Sequence, residues 1–409
     1  MSFEIRELTP DSVDAFRQAI SSGFGHDVDF EDKEGAERFG IVFNRERMLP
    51  VFDGDQIVGT GGDFDLTVTV PGGAQVPMSG LTIITVQPTH TRRGILTAMM
   101  RAHIDRARDR GEPLGGLWAS EVQIYGRFGY GSAADMRSIK YDARYAGHGL
   151  REPGVTVRLV SPQEASEILP LLFSEVQRTR PGMYQRTEEW WKYRLFWDRE
   201  KDRQGLSALR HAVAEEDGKP IGYVTYRQKS SWEALPEGEI RIREIITPTD
   251  AAYRALWHYV TNIDLFPIVK HWNLPVDDPL QMLLRDGRAL STEDLSDSLW
   301  MRLIEVPKAL ESRSYTGSGA ITIDVHDPFA SWNDGTYRLE VEDGQATCRP
   351  VGMDAEVAMD VNTLGAIYLG GRDAKALARI GRIEGAPEAV ARLDALFRGA
   401  IAPWCAEVF

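Results

Sequence analysis

The chain has 409 residues, 43% hydrophobic and 26% charged, a composition that can fill several packed cores and excludes a disordered or low-complexity protein. At roughly 150 residues per domain, two or three domains are expected. The 61 acidic residues outnumber the 47 basic ones and set a net charge of −14. That charge opposes nucleic acid and anionic lipid surfaces and suits a cationic small molecule, although solubility alone also accounts for an acidic chain.

Two cysteines, Cys348 and Cys405, leave no disulfide framework and no cysteine-based zinc cluster, and no His, Asp and Glu set has metal-ligand spacing. The opening Met1-Ser2-Phe3-Glu4-Ile5-Arg6-Glu7 lacks the basic start and apolar run of a secretory signal, and no apolar run reaches membrane-spanning length. A soluble cytoplasmic protein in a reducing compartment is expected.

In order along the chain, Asp11 to Ile20 places Val13, Phe16 and Ile20 at helical spacing behind the start signal Thr9-Pro10-Asp11. Met48 to Phe52 and Gln56 to Thr60 read as a hairpin across Asp53-Gly54-Asp55, and Phe64 to Val70 as a third strand ended by Pro71-Gly72-Gly73. The β-branched run Gly80 to Val86 stops at Pro88. A helix with Leu96, Met99, Met100, His103 and Ile104 on one face follows and ends at Gly111; Leu114 to Ala119 is a further strand. The same order returns later. Residues 212–223 resemble 50–60 as strand, glycine turn and strand, Ile240 to Ile246 ends at Thr247-Pro248-Thr249, and Ala251 to Val260 reads as a helix. Agreement of four successive elements indicates internal duplication of one α/β unit rather than a chance hairpin. The last hundred residues differ. Leu299 to Ile304 opens this part. Strands at Ala320 to Val325, Gly335 to Val341 and Ala346 to Pro350 turn on Asn333-Asp334-Gly335 and Glu342-Asp343-Gly344, and Asn362 to Leu369 and Pro387 to Phe397 read as helices. Breaks at Arg151-Glu152-Pro153-Gly154 and near Pro307 mark the expected boundaries.

The chemistry concentrates in Thr85-Val86-Gln87-Pro88-Thr89-His90-Thr91-Arg92-Arg93-Gly94-Ile95-Leu96, a strand, a turn, two arginines and a glycine at the mouth of a helix. Unpartnered amides at a helix start, together with the helix dipole, form an anion site. Gly94 admits close approach of a phosphate, and Arg92 and Arg93 add guanidinium charge. The edge of the preceding strand can hydrogen-bond an extended amide-bearing arm. A diphosphate joined to such an arm describes coenzyme A. In isolation, Arg-Arg-Gly reads first as an ordinary basic helix start on a surface.

The run resembles the acetyl-CoA loop of the GCN5-related N-acetyltransferases, Gln/Arg-x-x-Gly-x-Gly/Ala. It departs from that pattern at Thr91, where Gln or Arg is usual, and at Leu96, where Gly or Ala is usual. A second run, Ala119-Ser120-Glu121-Val122-Gln123-Ile124-Tyr125-Gly126-Arg127-Phe128-Gly129-Tyr130-Gly131, closely resembles the Ala-Ser-Glu-x-x-Ile-Tyr-x-Arg-Phe-Gly-Tyr-Gly signature of the Eis (enhanced intracellular survival) family of aminoglycoside N-acetyltransferases. The Pro88 to Leu96 stretch resembles the same family. The resemblance extends over essentially the whole chain. It implies an α+β architecture: tandem acetyltransferase (GNAT) folds followed by a sterol-carrier-protein-like α/β domain. It assigns an acetyl-CoA-binding unit to residues 1–150, a degenerate second unit to 151–303 and a C-terminal domain to 304–409.

Carried over by position, the resemblance makes Tyr125 the general acid that protonates the leaving thiolate and the C-terminal carboxylate of Phe409 the base. It lays the pantetheine arm along Ile84 and Val86 and the diphosphate on Arg92, Arg93, Gly94, Leu96 and Thr97, with Ser120 near the arm. Asp27, Phe24 and Glu407 fall on the substrate side. By residue type alone, Tyr125 would be a packing aromatic, Phe409 a frayed tail, and Asp27 and Glu407 solvated charges. Tyr130 reads as packing, Gly126, Gly129 and Gly131 as turn formers, Trp190, Trp191 and Trp197 as core or subunit interface, and His103 as structural. The second unit has Thr247-Pro248-Thr249-Asp250 where the first has its arginines and glycine, and is expected to bind no acetyl-CoA. The implied activity is transfer of acetyl from acetyl-CoA, as cosubstrate, to amines of an aminoglycoside or similar polyamine, an antibiotic-resistance chemistry. The implied assembly is a homo-oligomer, a hexamer by the family's habit, with no nucleic-acid or membrane partner. A lysine or peptide N-acetyltransferase and an acyl-CoA- or lipid-binding protein are the alternatives.

Overall fold

The computed structural model describes residues 3–146, 152–232 and 235–409. They fall into two units. One runs to Ala134 and resumes over Asp297–Pro403 and Val408–Phe409; the other comprises Asp135–Ser296 and Trp404–Glu407. In chain order the first stretch supplies strand β1 (Glu4–Ile5), helices α1 (Val13–Gly23) and α2 (Lys33–Val42), strands β2 (Val51–Asp53), β3 (Gln56–Thr69) and β4 (Gln75–Val86), helix α3 (Ile95–Asp109), strand β5 (Leu114–Trp118), the single turn α4 (Val122–Tyr125) and strand β6 (Gly131–Ser132). The middle stretch supplies β7 (Asp135–Asp142), α5 (Ala143–Ala146), β8 (Val155–Val160), α6 (Pro162–Gln177), α7 (Glu188–Trp190), β9 (Arg210–Glu216), β10 (Lys219–Lys229), β11 (Glu239–Ile246), α8 (Asp250–Thr261), β12 (Ile268–Leu274), α9 (Leu280–Leu283) and β13 (Leu290–Asp297). The last supplies β14 (Leu299–Leu303), α10 (Val306–Glu311), β15 (Gly319–His326), β16 (Gly335–Glu342), β17 (Gln345–Pro350), β18 (Val357–Asp360), α11 (Val361–Tyr368), α12 (Ala374–Arg379), β19 (Ile383–Gly385) and α13 (Pro387–Phe397).

In the first unit a sheet runs in the order β1-β2-β3-β4-β5-β14-β6. The two strands expected at 56–60 and 64–70 are one. Gly61 and Gly62 do not break β3; they sit opposite a bulge in β4, where pairing slips from Thr60↔Thr85 to Gly62↔Thr82. Helix α3 packs Ile95 and Met99 against Val51 and Val58. Met100 joins Leu81, Leu117, Tyr125, Phe128, Tyr130 and Trp300 in a neighbouring cluster. These are the alternate and 3.6-spaced positions that the sequence pattern assigns to the interior.

The fully buried β14 closes this sheet antiparallel to β5, Leu299 opposite Trp118 and Leu303 opposite Leu114. Conversely, β7 pairs antiparallel with β12 in the second unit. Each sheet therefore contains one strand from beyond the limits read at 150 and 303. Of the boundary read at 151–154, Arg151 lies outside the described residues.

The second unit repeats the arrangement in the order β13-β7-β12-β11-β10-β9-β8. The β9–β10 hairpin, antiparallel β11, helix α8 and parallel β12 reproduce β2–β3, β4, α3 and β5. The C-terminal residues build the sheet β17-β16-β15-β18-β19 with α10 to α13. Both cysteines are buried and unlinked. Among the described residues, no helix is long and apolar enough to cross a membrane.

Candidate active site

The site follows from how β4 parts from β5. Their parallel pairing covers only Met78–Gly80 against Leu114–Gly116, yet β4 continues to Val86. Backbone groups of β4 beyond Gly80 therefore lie outside that ladder, which leaves an edge for an extended amide-bearing ligand. The bulge bends the strand at this place. Ile83 has φ of 50°, a costly conformation for a β-branched residue, and its carbonyl accepts the Thr60 hydroxyl at 2.8 Å. Thr60 and Thr85 hydroxyls also bond one another at 2.7 Å. The expected Ile84 and Val86 lie on this edge.

At the end of β4, the loop into α3 has two left-handed residues, Arg92 (φ 62°) and Gly94 (φ 84°), which turn successive amides into a concave anion cradle. Gly94 is the N-cap of the 15-residue α3, and no side chain caps the helix, so its first-turn amides and positive dipole end stay available. A Cβ on Gly94 would meet no atom within 4 Å, so the space beside the loop is open. Arg92, Arg93, Gly94 and Thr97 are exposed and Leu96 is half-buried. The donor set, the fold of the loop and the free space fit a coenzyme A diphosphate.

Tyr125 ends the short α4 and is buried. Its ring shares the cluster that contains Leu81, with Ile84 and Leu96 at its margin. Burial pushes the phenol above its ordinary value, a hydrogen bond with exposed Ser120 pulls it down, and the Glu121 carboxylate adds to the rise. The net rise keeps the proton on oxygen at neutral pH.

The turn after Tyr125 is clamped by the C-terminal residues of the same unit. Arg302, fully buried with Asp327 at 2.7 Å, donates to the Phe128 carbonyl. Asn362 Nδ2 donates to the Gly126 carbonyl at 3.2 Å. This corrects the reading of three turn-forming glycines. Gly129 (φ 83°) forms a turn. Gly126 is helical. Gly131 lies in β6, where a Cβ would collide with the Asn362 carbonyl; what it provides is close approach, not a turn.

Phe409 is also brought to the parting of β4 and β5. It is buried, and a Cβ on Gly80 would lie 3.1 Å from its ring atom Cε2, so the last residue is docked rather than frayed. Helix α1 ends against the same strand: a Cβ on Gly23 would lie 2.5 Å from Thr85 Cβ. Phe24 and Asp27 follow that close contact and are exposed, Phe24 by 47%. Glu407 belongs to the second unit, where its carboxylate meets buried Arg186 at 2.7 Å and accepts the Trp190 indole N–H at 3.0 Å. Those partners make it an anchor in a buried network with Glu244. Trp190 and Trp191 are core residues of the same region.

Sequence reasoning missed Asp63. It sits mid-strand in β3 with 1% exposure, facing His103 on α3 and gathering Arg110 and Arg47. The one signal was an acid placed mid-strand between Gly62 and Phe64.

The second unit opens a cavity of about 550 Å³ where β11 leaves β12, lined in part by Ile245, Thr249, Asp250, Tyr253, Leu274 and Asp278. There the Thr249 side chain already accepts the Ala252 N–H, and Asp250 stands in the first turn of α8. A filled cap and a negative charge oppose a diphosphate at the place where the first unit invites one.

Two bulged α/β units of this topology, the first with an anion cradle after its parted strand, define a tandem acetyltransferase. Residues 4–133 and 182–303 match the acetyltransferase (GNAT) domain, and residues 306–406 the sterol carrier protein domain. An uncharacterized N-acetyltransferase of Streptomyces avermitilis is 36% identical over 99% of both chains. N-acetyltransferase Eis of Mycobacterium tuberculosis is 34% identical over 90% of this chain and 91% of its own. The crystal structure of Eis1 from Mycobacterium abscessus superposes with a TM-score of 0.85 at 27% identity over the full length of both chains. A GCN5-related N-acetyltransferase from Anabaena variabilis, at 19% identity and TM-score 0.87, shares the fold. The chain belongs to the Eis-type GNAT N-acetyltransferases.

Proposed function

We propose that the first unit transfers acetyl from acetyl-CoA to an amine of an aminoglycoside or similar polyamine, with Tyr125 as general acid and the Phe409 carboxylate as general base. The observation that carries this reading is the convergence of three features on one stretch of β4: the anion cradle at its end, Tyr125 clustered with Leu81, and the Phe409 ring against Gly80. In this reading the amine attacks the thioester carbonyl. The C–N bond forms as the C–S bond breaks, the Tyr125 proton goes to the departing sulfur, and the amine proton goes to the terminal carboxylate, directly or through water. A phenol held protonated by burial suits the first transfer. A polycationic substrate suits the net charge of −14 and the exposed Asp27 beside Phe24. Localisation in the cytoplasm and assembly as a homo-oligomer, a hexamer by family resemblance, complete the proposal.

The test is release of coenzyme A thiol on mixing the protein with acetyl-CoA and a panel of amines. Turnover with aminoglycosides and not with lysine peptides supports the reading. Turnover with peptides alone, or acetyl-CoA binding without turnover on any amine, refutes it.

A further inference from the structure

We propose that Asp63, His103 and Tyr130 form a buried positioning chain that holds Tyr125 in place for proton transfer; this rests on the reading of Tyr125 as the acid. His103, on the inner face of α3, and Tyr130 are both wholly buried. His103 Nε2 lies 2.9 Å from the Tyr130 hydroxyl. On the other side of the ring, Nδ1 lies 3.5 Å from Asp63 Oδ2, and neither atom has a closer hydrogen-bond partner among the described residues. The second oxygen of Asp63 accepts from Arg110 at 2.9 Å and from Arg47. Both arginines are tied in turn to Glu112, at 2.9 and 2.7 Å.

The charge order runs in one direction. Burial pushes Asp63 up, but His103, Arg110 and Arg47 outweigh it and hold the carboxyl at about 2, so it is an anion across the working range. The Asp63 carboxylate faces Nδ1, and in the tautomer with its proton on Nδ1 the ring offers Nε2 to the Tyr130 hydroxyl. Tyr130, its phenol raised by burial, then donates to His103. The Tyr130 ring is thereby fixed at its hydroxyl end, which lies so close to β5 that a Cβ on Gly115 would be 2.9 Å away. Its ring meets that of Tyr125 edge-on, centroids 6.4 Å apart at 73°. A wholly apolar filling of this volume would be at least as stable as a buried acid, imidazole and phenol. What the polar chain adds is a single orientation for the ring that supports Tyr125.

The deciding experiment is a double-mutant cycle on kcat in the thiol-release assay. Tyr130→Phe removes one oxygen and should lower kcat about five- to tenfold, the worth of one buried hydrogen bond acting on the transition state, with the KM for acetyl-CoA unchanged. In a Tyr125→Phe background the same substitution should have no further effect, because the chain acts only through Tyr125. His103→Gln, which can donate to Asp63 and accept from Tyr130, should retain most of kcat, whereas His103→Leu should lose as much as Tyr130→Phe; this pair decides the matter if Tyr130→Phe fails to fold. Equal losses in both backgrounds, or no loss at all, overturn the positioning chain. Full activity of Tyr125→Phe removes the acid assignment itself, and the chain's purpose with it.

Discussion

Replacing Gly94 by alanine isolates the cradle from the rest of the fold. Gly94 has φ of 84° and a Cβ there touches nothing within 4 Å, so the substitution adds no clash with the protein, only the left-handed cost of about 1–2 kcal/mol. The unfolded chain loses freedom on the same substitution, which returns about 0.4–1 kcal/mol. The net loss of stability is thus about 1 kcal/mol, a melting shift of about 2–4 °C for a domain of this size. The cofactor loop bears more of the effect. To the extent that the free loop relaxes, this strain moves from stability to binding, and up to about 1–2 kcal/mol appears as a KM for acetyl-CoA raised by as much as about 5- to 30-fold, with kcat little changed. Gly54 provides the control. It has φ of 62°, lies in the β2–β3 turn, and its Cβ also meets nothing within 4 Å. Gly54→Ala should cost similar stability and leave KM unchanged. Steady-state kinetics and thermal melting of both variants give the comparison. Equal KM values would refute the assignment of the cradle to the diphosphate.

Tyr125→Phe should lower kcat while the protein remains folded, and the native enzyme should keep its kcat with rising pH through the range where an ordinary phenol ionises, falling only above it, because the proton donor is raised by burial, with Glu121 adding to the rise against Ser120; an alkaline limb starting well below about 10 contradicts this. Residues appended after Phe409 should depress turnover by moving the docked ring and carboxylate, and a tagged enzyme of full activity excludes the terminal base. Gly131→Ala should cost about 3 kcal/mol or more, because the new methyl meets the Asn362 backbone carbonyl rather than a flexible side chain; an unchanged melting temperature refutes that contact. His211 and His271 are held neutral by burial, at about 4 and about 3. Folded values below the unfolded 6.5 mean that their contribution is complete above 6.5 and is lost as pH falls, toward 4 for His211 and toward 3 for His271. Hydrogen exchange in β9 and β12 that is unaltered down to pH 4 contradicts it.

Much of the fold is legible because local periodicity governs it. The apolar face of α3, the β-branched run of β4 and the span 387–397 of α13 are all visible in the residues themselves. The duplication is legible for the same reason, since it repeats local patterns in order. What the sequence hides is non-local. Nothing in Leu299–Leu303 says that it pairs with Leu114–Trp118, and the glycines of β3 resemble a break because the bulge they face lies on another strand. Within the site, the motif residues stand out by type and spacing. Asp63 does not, because an acid in a strand ordinarily signals solvent, and only the arrival of His103, Arg110 and Arg47 from elsewhere makes its burial tolerable. The partners of Glu407 are hidden in the same way: Arg186 and Trp190, which hold its carboxylate, come from more than 200 residues earlier in the chain.

The placement of β14 also constrains how the protein is made. Its five residues close a sheet whose other strands are complete by Ser132, so during synthesis the amino-terminal stretch waits through the emergence of the whole intervening unit before its last strand leaves the ribosome. Until then β5 presents an open apolar edge, the kind that templates aggregation. Truncating the gene soon after Ser132 would fix that waiting state permanently, so the smallest heritable piece that yields the closed sheet extends through Leu303.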